Sequence, residues 1–98
     1  MRNNNININE VPHYRAIEFK YMNSKIRVVD TYTKPNKTND KIFLKFDSEF
    51  MYSQDQAYQF LIDNGFNVVG RAHQKNDVLL LFVDNWGEGF KSIKDCVK

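Results

Sequence analysis

The run Asp77-Val78-Leu79-Leu80-Leu81-Phe82-Val83-Asp84-Asn85-Trp86 constrains the fold more than any other part of the chain. Six consecutive apolar residues, Val78 to Val83, stand between polar brackets. A run of that length is too short for a typical helix and reads as a strand buried on both faces. It is therefore expected at the middle of a small sheet.

A chain of 98 residues supports one domain around one core. With 42% apolar residues, eight Phe and five Tyr, that core needs no disulfide or metal staple. The single cysteine, Cys96, reads as a reduced structural thiol. No apolar segment approaches the roughly 20 residues of a membrane span, and Met1-Arg2-Asn3-Asn4-Asn5 lacks the apolar region of a signal peptide. A cytoplasmic location with no membrane partner is the expectation. A net charge of +2 is too mild to demand nucleic acid and too positive for a DNA mimic, so any electrostatic argument has to be local. Heavy use of Asn, Lys, Ile, Phe and Tyr is what an AT-rich genome encodes and points to a low-GC bacterium or its phage.

Residues 1–12 read as a flexible Asn-rich arm, and 13–98 as one α+β domain. Between His13 and Met22, Ile17, Phe19 and Tyr21 alternate with Ala16, Glu18 and Lys20, the pattern of a strand with one buried face. Met22-Asn23-Ser24 breaks it, and Ile26, Val28 and Tyr32 then alternate with Lys25, Arg27, Val29 and Thr31 to complete a hairpin. After a turn-rich stretch from Lys34 to Asp40, Ile42, Leu44 and Phe46 mark a third strand of a meander.

Ser53-Gln54-Asp55-Gln56 fits the capping box, with Ser53 as the cap, and predicts a helix whose apolar stripe holds Ala57, Phe60, Leu61 and Ile62. Asn64-Gly65 supplies its left-handed ending, after which Phe66 packs back on the last turn. Val68 to His73 and Val78 to Val83 then read as a second hairpin. Phe90, Ile93 and Val97 recur at helical spacing and predict a short closing helix beyond Gly87 and Gly89. The order becomes β-β-β-α-β-β-α, an antiparallel sheet of about five strands with helices packed on one face.

Strand parity then singles out one surface. With Ile17, Phe19, Ile26, Val28, Ile42 and Leu44 facing the core, Glu18, Lys20, Lys25, Arg27, Lys41, Phe43 and Lys45 share the opposite face. Cations meet phosphates and an exposed ring stacks on an unpaired base, so this is the composition of a sheet that binds single strands. The same charges also serve an open sheet that merely stays solvated and resists edge-to-edge association, with Phe43 packed under a loop or helix.

Trp86, set among Asp84, Asn85 and Glu88 at a glycine-softened bend, is either an anchor for a protein partner or a cap on the core. Phe50 and Tyr52 fit a hydrophobic staple at the helix start. His13 and His73 lack a second ligand at metal-binding spacing, and Asp47, Glu49 and Asp55 are accounted for by loop and cap duties. The sequence contains no phosphate loop, and no cofactor, metal site or catalytic residue is assigned.

Tyr14-Arg15-Ala16-Ile17, Tyr21 and Ser24-Lys25-Ile26-Arg27-Val28-Val29-Asp30 together resemble the opening hairpin of small uncharacterised proteins encoded by phages and plasmids. The resemblance covers about the first third of the chain; the relatives often carry a longer turn with Gly and Thr where this chain has Met22-Asn23-Ser24. It implies a mobile-element context, in which small proteins commonly act without catalysis by binding a host or defence component, as anti-CRISPR proteins and other inhibitors do. The leading expectation is a non-enzymatic protein that binds and blocks or redirects a bacterial protein or nucleoprotein complex through Trp86 or the basic sheet face. The alternative is an accessory or regulatory protein that binds DNA or RNA through Lys20, Lys25, Arg27, Lys41, Phe43 and Lys45.

Overall fold

Burial alternates along the strands, and the alternation places the core. In the computed structural model, which describes residues 6–31, 41–84 and 93–96, the strands are β1 (Arg15–Tyr21), β2 (Lys25–Asp30), β3 (Lys41–Lys45), β4 (Val68–Gln74) and β5 (Val78–Val83). One α-helix, α1 (Ser53–Asp63), lies between β3 and β4. All strand pairs are antiparallel and the sheet order is β3-β2-β1-β5-β4, giving an α+β fold. The meander and the second hairpin meet where β1 pairs with β5.

Ile17, Phe19, Ile26, Val28, Ile42, Leu79, Leu81 and Val83 are buried on one face. Ala57 and Leu61 of α1, with Phe66 just beyond it, complete the core together with Ile93 and Cys96. Burying each of the larger aliphatic side chains is worth about 1.5 to 3 kcal/mol. Among the described residues no helix is long and apolar enough to cross a membrane.

The central strand is β1, in place of the apolar run, which forms β5 one position away from the edge strand β4. Only Leu79, Leu81 and Val83 of β5 are buried, while Val78, Leu80 and Phe82 are half-buried on the opposite face. Six apolar residues in a row thus belong to a strand with one covered face and one apolar but open face. The predicted element order also differs at the C-terminus. Among the described residues the closing element is a 3-10 turn, Ile93–Cys96, in place of an α-helix, and Phe90 and Val97 lie outside them. Among the described residues a single α-helix and this turn cover the core, where two helices were predicted. Ile8–Glu10, in the predicted flexible arm, is a 3-10 turn whose entry is capped by the Asn7 side chain, which accepts from Asn9 N at 3.0 Å. Tyr32 and the stretch from Lys34 to Asp40 lie outside the described residues.

Both ends of α1 are informative. Its N-cap is Tyr52, which makes no side-chain cap bond, so Ser53 is already helical and the predicted capping box does not form. Gln56 is engaged elsewhere: its Nε2 donates to the Lys45 carbonyl at 2.9 Å and its Oε1 accepts from Asp47 N at 2.8 Å, tying the helix to the exit of β3. Of the pair expected to form a hydrophobic staple, Tyr52 is exposed and Phe50 is half-buried. The C-terminus closes as the Asn64-Gly65 signal implies. Gly65 sits at φ +84°, its N–H donates to the Ile62 carbonyl at 3.1 Å, and the Phe66 N–H donates to the Leu61 carbonyl at 3.0 Å. This pair of bonds is the Schellman motif, and it carries Phe66 into the core. Between β1 and β2, Asn23 and Ser24 both adopt positive φ, as a two-residue hairpin turn that matches strand twist requires.

Candidate binding face

The strand registers assemble the residues of the open face into rows. One row runs Gln74–Val78–Lys20–Arg27–Phe43 across all five strands, and the next runs Ala72–Leu80–Glu18–Val29–Lys41. Lys25 and Lys45 stand directly opposite each other at the β2–β3 end. The six residues expected to share a face, Lys20, Lys25, Arg27, Lys41, Phe43 and Lys45, therefore do lie together, on β1, β2 and β3. Five cations stand there against one carboxylate, Glu18. The local excess of four is twice the net charge of the whole chain, +2.

The cations are not equivalent. Arg27 Nη2 lies 3.3 Å from Glu18 Oε2, with side-chain exposures of 30% and 25%, so its charge is largely answered within the sheet. The four lysines have no ion pair among the described residues. Lys25 Nζ lies 5.2 Å and Lys41 Nζ 6.0 Å from the centroid of the Phe43 ring, which is 50% exposed. The ring is thus held at the surface by ammonium groups, each contact worth about 0.5 to 1 kcal/mol at an exposed site, and is not packed under another element. Along the edge strand the order is cation, ring, cation: Lys41 and Lys45 are about 13 Å apart at about 3.3 Å per residue, with Phe43 halfway. Lys25 and Lys45 form a like-charge cross-strand pair, an arrangement that costs a few tenths of a kcal/mol to about 1 kcal/mol until an anion sits between them.

The other half of the same face is different in kind. Val78, Leu80 and Phe82 of β5, with Ala16 and Ala72 beside them, make a half-buried apolar strip next to the basic patch. Trp86, the other expected anchor, lies outside the described residues.

Two arrangements were not foreseen from the sequence. On the core side, Arg15 Nε and Asp30 Oδ1 lie 3.3 Å apart with side-chain exposures of 0% and 2%, and the Arg15 guanidinium covers the Phe66 ring at 5.3 Å. Parity already placed both residues on the buried face, with Arg15 in phase with Ile17 and Asp30 in phase with Val28; that was the available signal. Second, Ser53, His73 and Asp77 line one cleft of about 190 Å³ at the start of α1. They are the residue types of a nucleophilic triad, but no hydrogen bond connects them, and a triad needs the nucleophile bonded to its base. No group of three His, Cys, Asp or Glu residues gathers at metal-binding distance among the described residues. No protein-family model matches this chain, nor does any curated protein or any solved structure.

Proposed function

We propose that this protein is a non-catalytic binding protein whose basic sheet face engages single-stranded nucleic acid, alone or as the exposed strand of a nucleoprotein complex. The observation that carries the reading is Phe43, half exposed between two ammonium groups on an edge strand. An unpaired base stacking on that ring displaces an ammonium group, and the displaced group finds a phosphate of the same strand. Lys25 and Lys45 take a second phosphate between them, which relieves their mutual repulsion. Arg27 acts as a strut through Glu18 and contributes less to the contact.

Fluorescence anisotropy of labelled single- and double-stranded DNA and RNA, at low and near-physiological salt, tests this. Four lysines on phosphates predict that log K falls against log salt with a slope of about −3 for a single strand. Lys25→Glu/Lys45→Glu is the control, since it cancels the local excess of four charges without leaving Glu18 against a new carboxylate at position 27. Salt-insensitive binding, or full binding by the double variant, sinks the proposal.

A second reading has an observation of its own. The apolar strip of Val78, Leu80 and Phe82 beside the basic half suits a protein surface with an acidic rim. In that case the protein acts as an inhibitor of a bacterial host or defence component, as the phage and plasmid resemblance implies. Leu80→Asn, which adds no charge beside Glu18, would then abolish partner capture while leaving nucleic-acid binding unchanged.

A further inference from the structure

The two edges of the sheet are protected differently. Edge strand β3 carries Lys41 and Lys45, the kind of residue that discourages strand addition. Edge strand β4 carries no such pair on that face: Gly70, Ala72 and Gln74 point to the open side, and among the described residues β4 pairs only with β5. Its register shifts between Val68 and Gly70, leaving Val69 exposed at the bulge. An edge strand with unused main-chain donors and acceptors is a template for another strand.

A cleft of about 310 Å³ runs beside this edge, between β4 and the first turns of α1. Leu79 and Leu81 line it from β5, and Tyr58 from the helix. Tyr58, Ile62 and Val69 are all exposed large apolar side chains of the two elements that flank it. A free strand edge and an apolar cleft against a helix are the two elements of strand-addition recognition, in which main-chain bonds give affinity and alternate side chains enter the cleft.

Charge selects the occupant. From Val68 to Asn76 the chain has no carboxylate, while Arg71, His73 and Lys75 are basic or titratable. A second copy of β4 would bring cations against cations. Arg71 lines the strand side of the cleft and makes no ion pair among the described residues, whereas Asp55 stands on the helix side. We propose that β4 and its cleft take an extended segment of a partner protein, added as a sixth strand, with apolar side chains at alternate positions and one acidic residue in the same phase beside Arg71. This surface lies at the opposite edge of the sheet from Phe43 and is independent of nucleic-acid binding.

The test uses two pools of fluorescein-labelled octapeptides with Thr at every second position. In the first, three of the remaining four positions hold Val, Leu or Ile and the fourth holds Glu; in the second, Lys replaces Glu. The Glu pool is expected to bind the full chain about tenfold more tightly than the Lys pool, with Arg71→Glu reversing the preference. N-methylation of every second peptide amide, tried in both phases, is expected to abolish binding in one phase only, because alternate N–H groups face the partner strand. Lys25→Glu/Lys45→Glu is expected to leave peptide binding unchanged, which separates this surface from the basic face. Absence of binding by either pool overturns the proposal, as does equal tolerance of both N-methylation phases. Hydrogen exchange on the free protein gives an independent check: every second β4 amide should exchange rapidly, and protection of them all means that the edge is already covered.

Discussion

The meander β1–β3 and the hairpin β4–β5 share one core and meet their surroundings by opposite means. In the meander, the face away from the core is basic, with lysines arrayed around one ring and an Arg27–Glu18 pair bracing β1 against β2. On the hairpin the same face is uncharged and, apart from Gln74 at its end, apolar, from Gly70 and Ala72 to Val78, Leu80 and Phe82. The division lies between β1 and β5, where Lys20 pairs with Val78 and Glu18 with Leu80. One sheet thus presents an electrostatic surface and a hydrophobic one side by side, and a strand edge is guarded by lysine only on the electrostatic side. Charge steers a partner and gives salt dependence, whereas apolar surface and free main chain give contact area and direction.

The strongest way to break the comparison is at the buried ion pair, which braces the meander under Phe66, the residue that leads into the hairpin. Asp30→Ala leaves the Arg15 charge buried and is expected to cost about 3 to 5 kcal/mol in urea unfolding. A loss below about 1 kcal/mol would mean that water reaches the pair. Phe43→Ala should weaken single-strand binding by about 1 to 3 kcal/mol in the anisotropy titration, the worth of one stacked base, with almost no change in unfolding midpoint. An equal loss of stability and affinity would instead make the ring a structural element. Gly65→Ala, at the joint that delivers the chain from α1 to the hairpin, is expected to cost about 1 kcal/mol, because the added Cβ meets no atom and only the positive φ opposes it. Lys45→Glu is the smallest effect and sharpens the contrast most directly. By turning the like-charge pair with Lys25 into an attractive one, it should stabilise the free protein by about 0.2 to 1 kcal/mol while weakening nucleic-acid binding. A destabilised variant would show that the two lysines do not repel each other across the strands.

Period-two patterning was readable because each strand of the meander buries one face only, so Ile17, Phe19, Ile26 and Val28 announce both the strand and its orientation. The same parity puts the basic residues on one face with Phe43. Patterning failed where two environments produce the same residue types. The run Val78–Val83 is apolar at every position, and a strand covered on both faces has the same composition as one whose second face is a half-buried apolar strip. The capping box failed for a different reason: the helix starts one residue earlier, at the Tyr52 cap, and Gln56 is engaged by the Lys45 carbonyl and the Asp47 amide, which only tertiary packing brings within reach.

The amino-acid sequence by itself determined the antiparallel strands, their turns, the end of α1 and the company that Lys20, Lys25, Arg27, Lys41 and Lys45 keep on one face. These follow from local geometry: two-residue alternation, positive-φ turn positions and a glycine past a helix end act over a few residues. Only the tertiary structure decided that β1 and not β5 is central, that Arg15 and Asp30 meet in the core, that Phe43 stands between two ammonium groups, and that β4 is an edge with a cleft beside it. Each of these depends on which strands become neighbours. That choice is set by the total burial of one shared core over all strands, a quantity that no single segment carries.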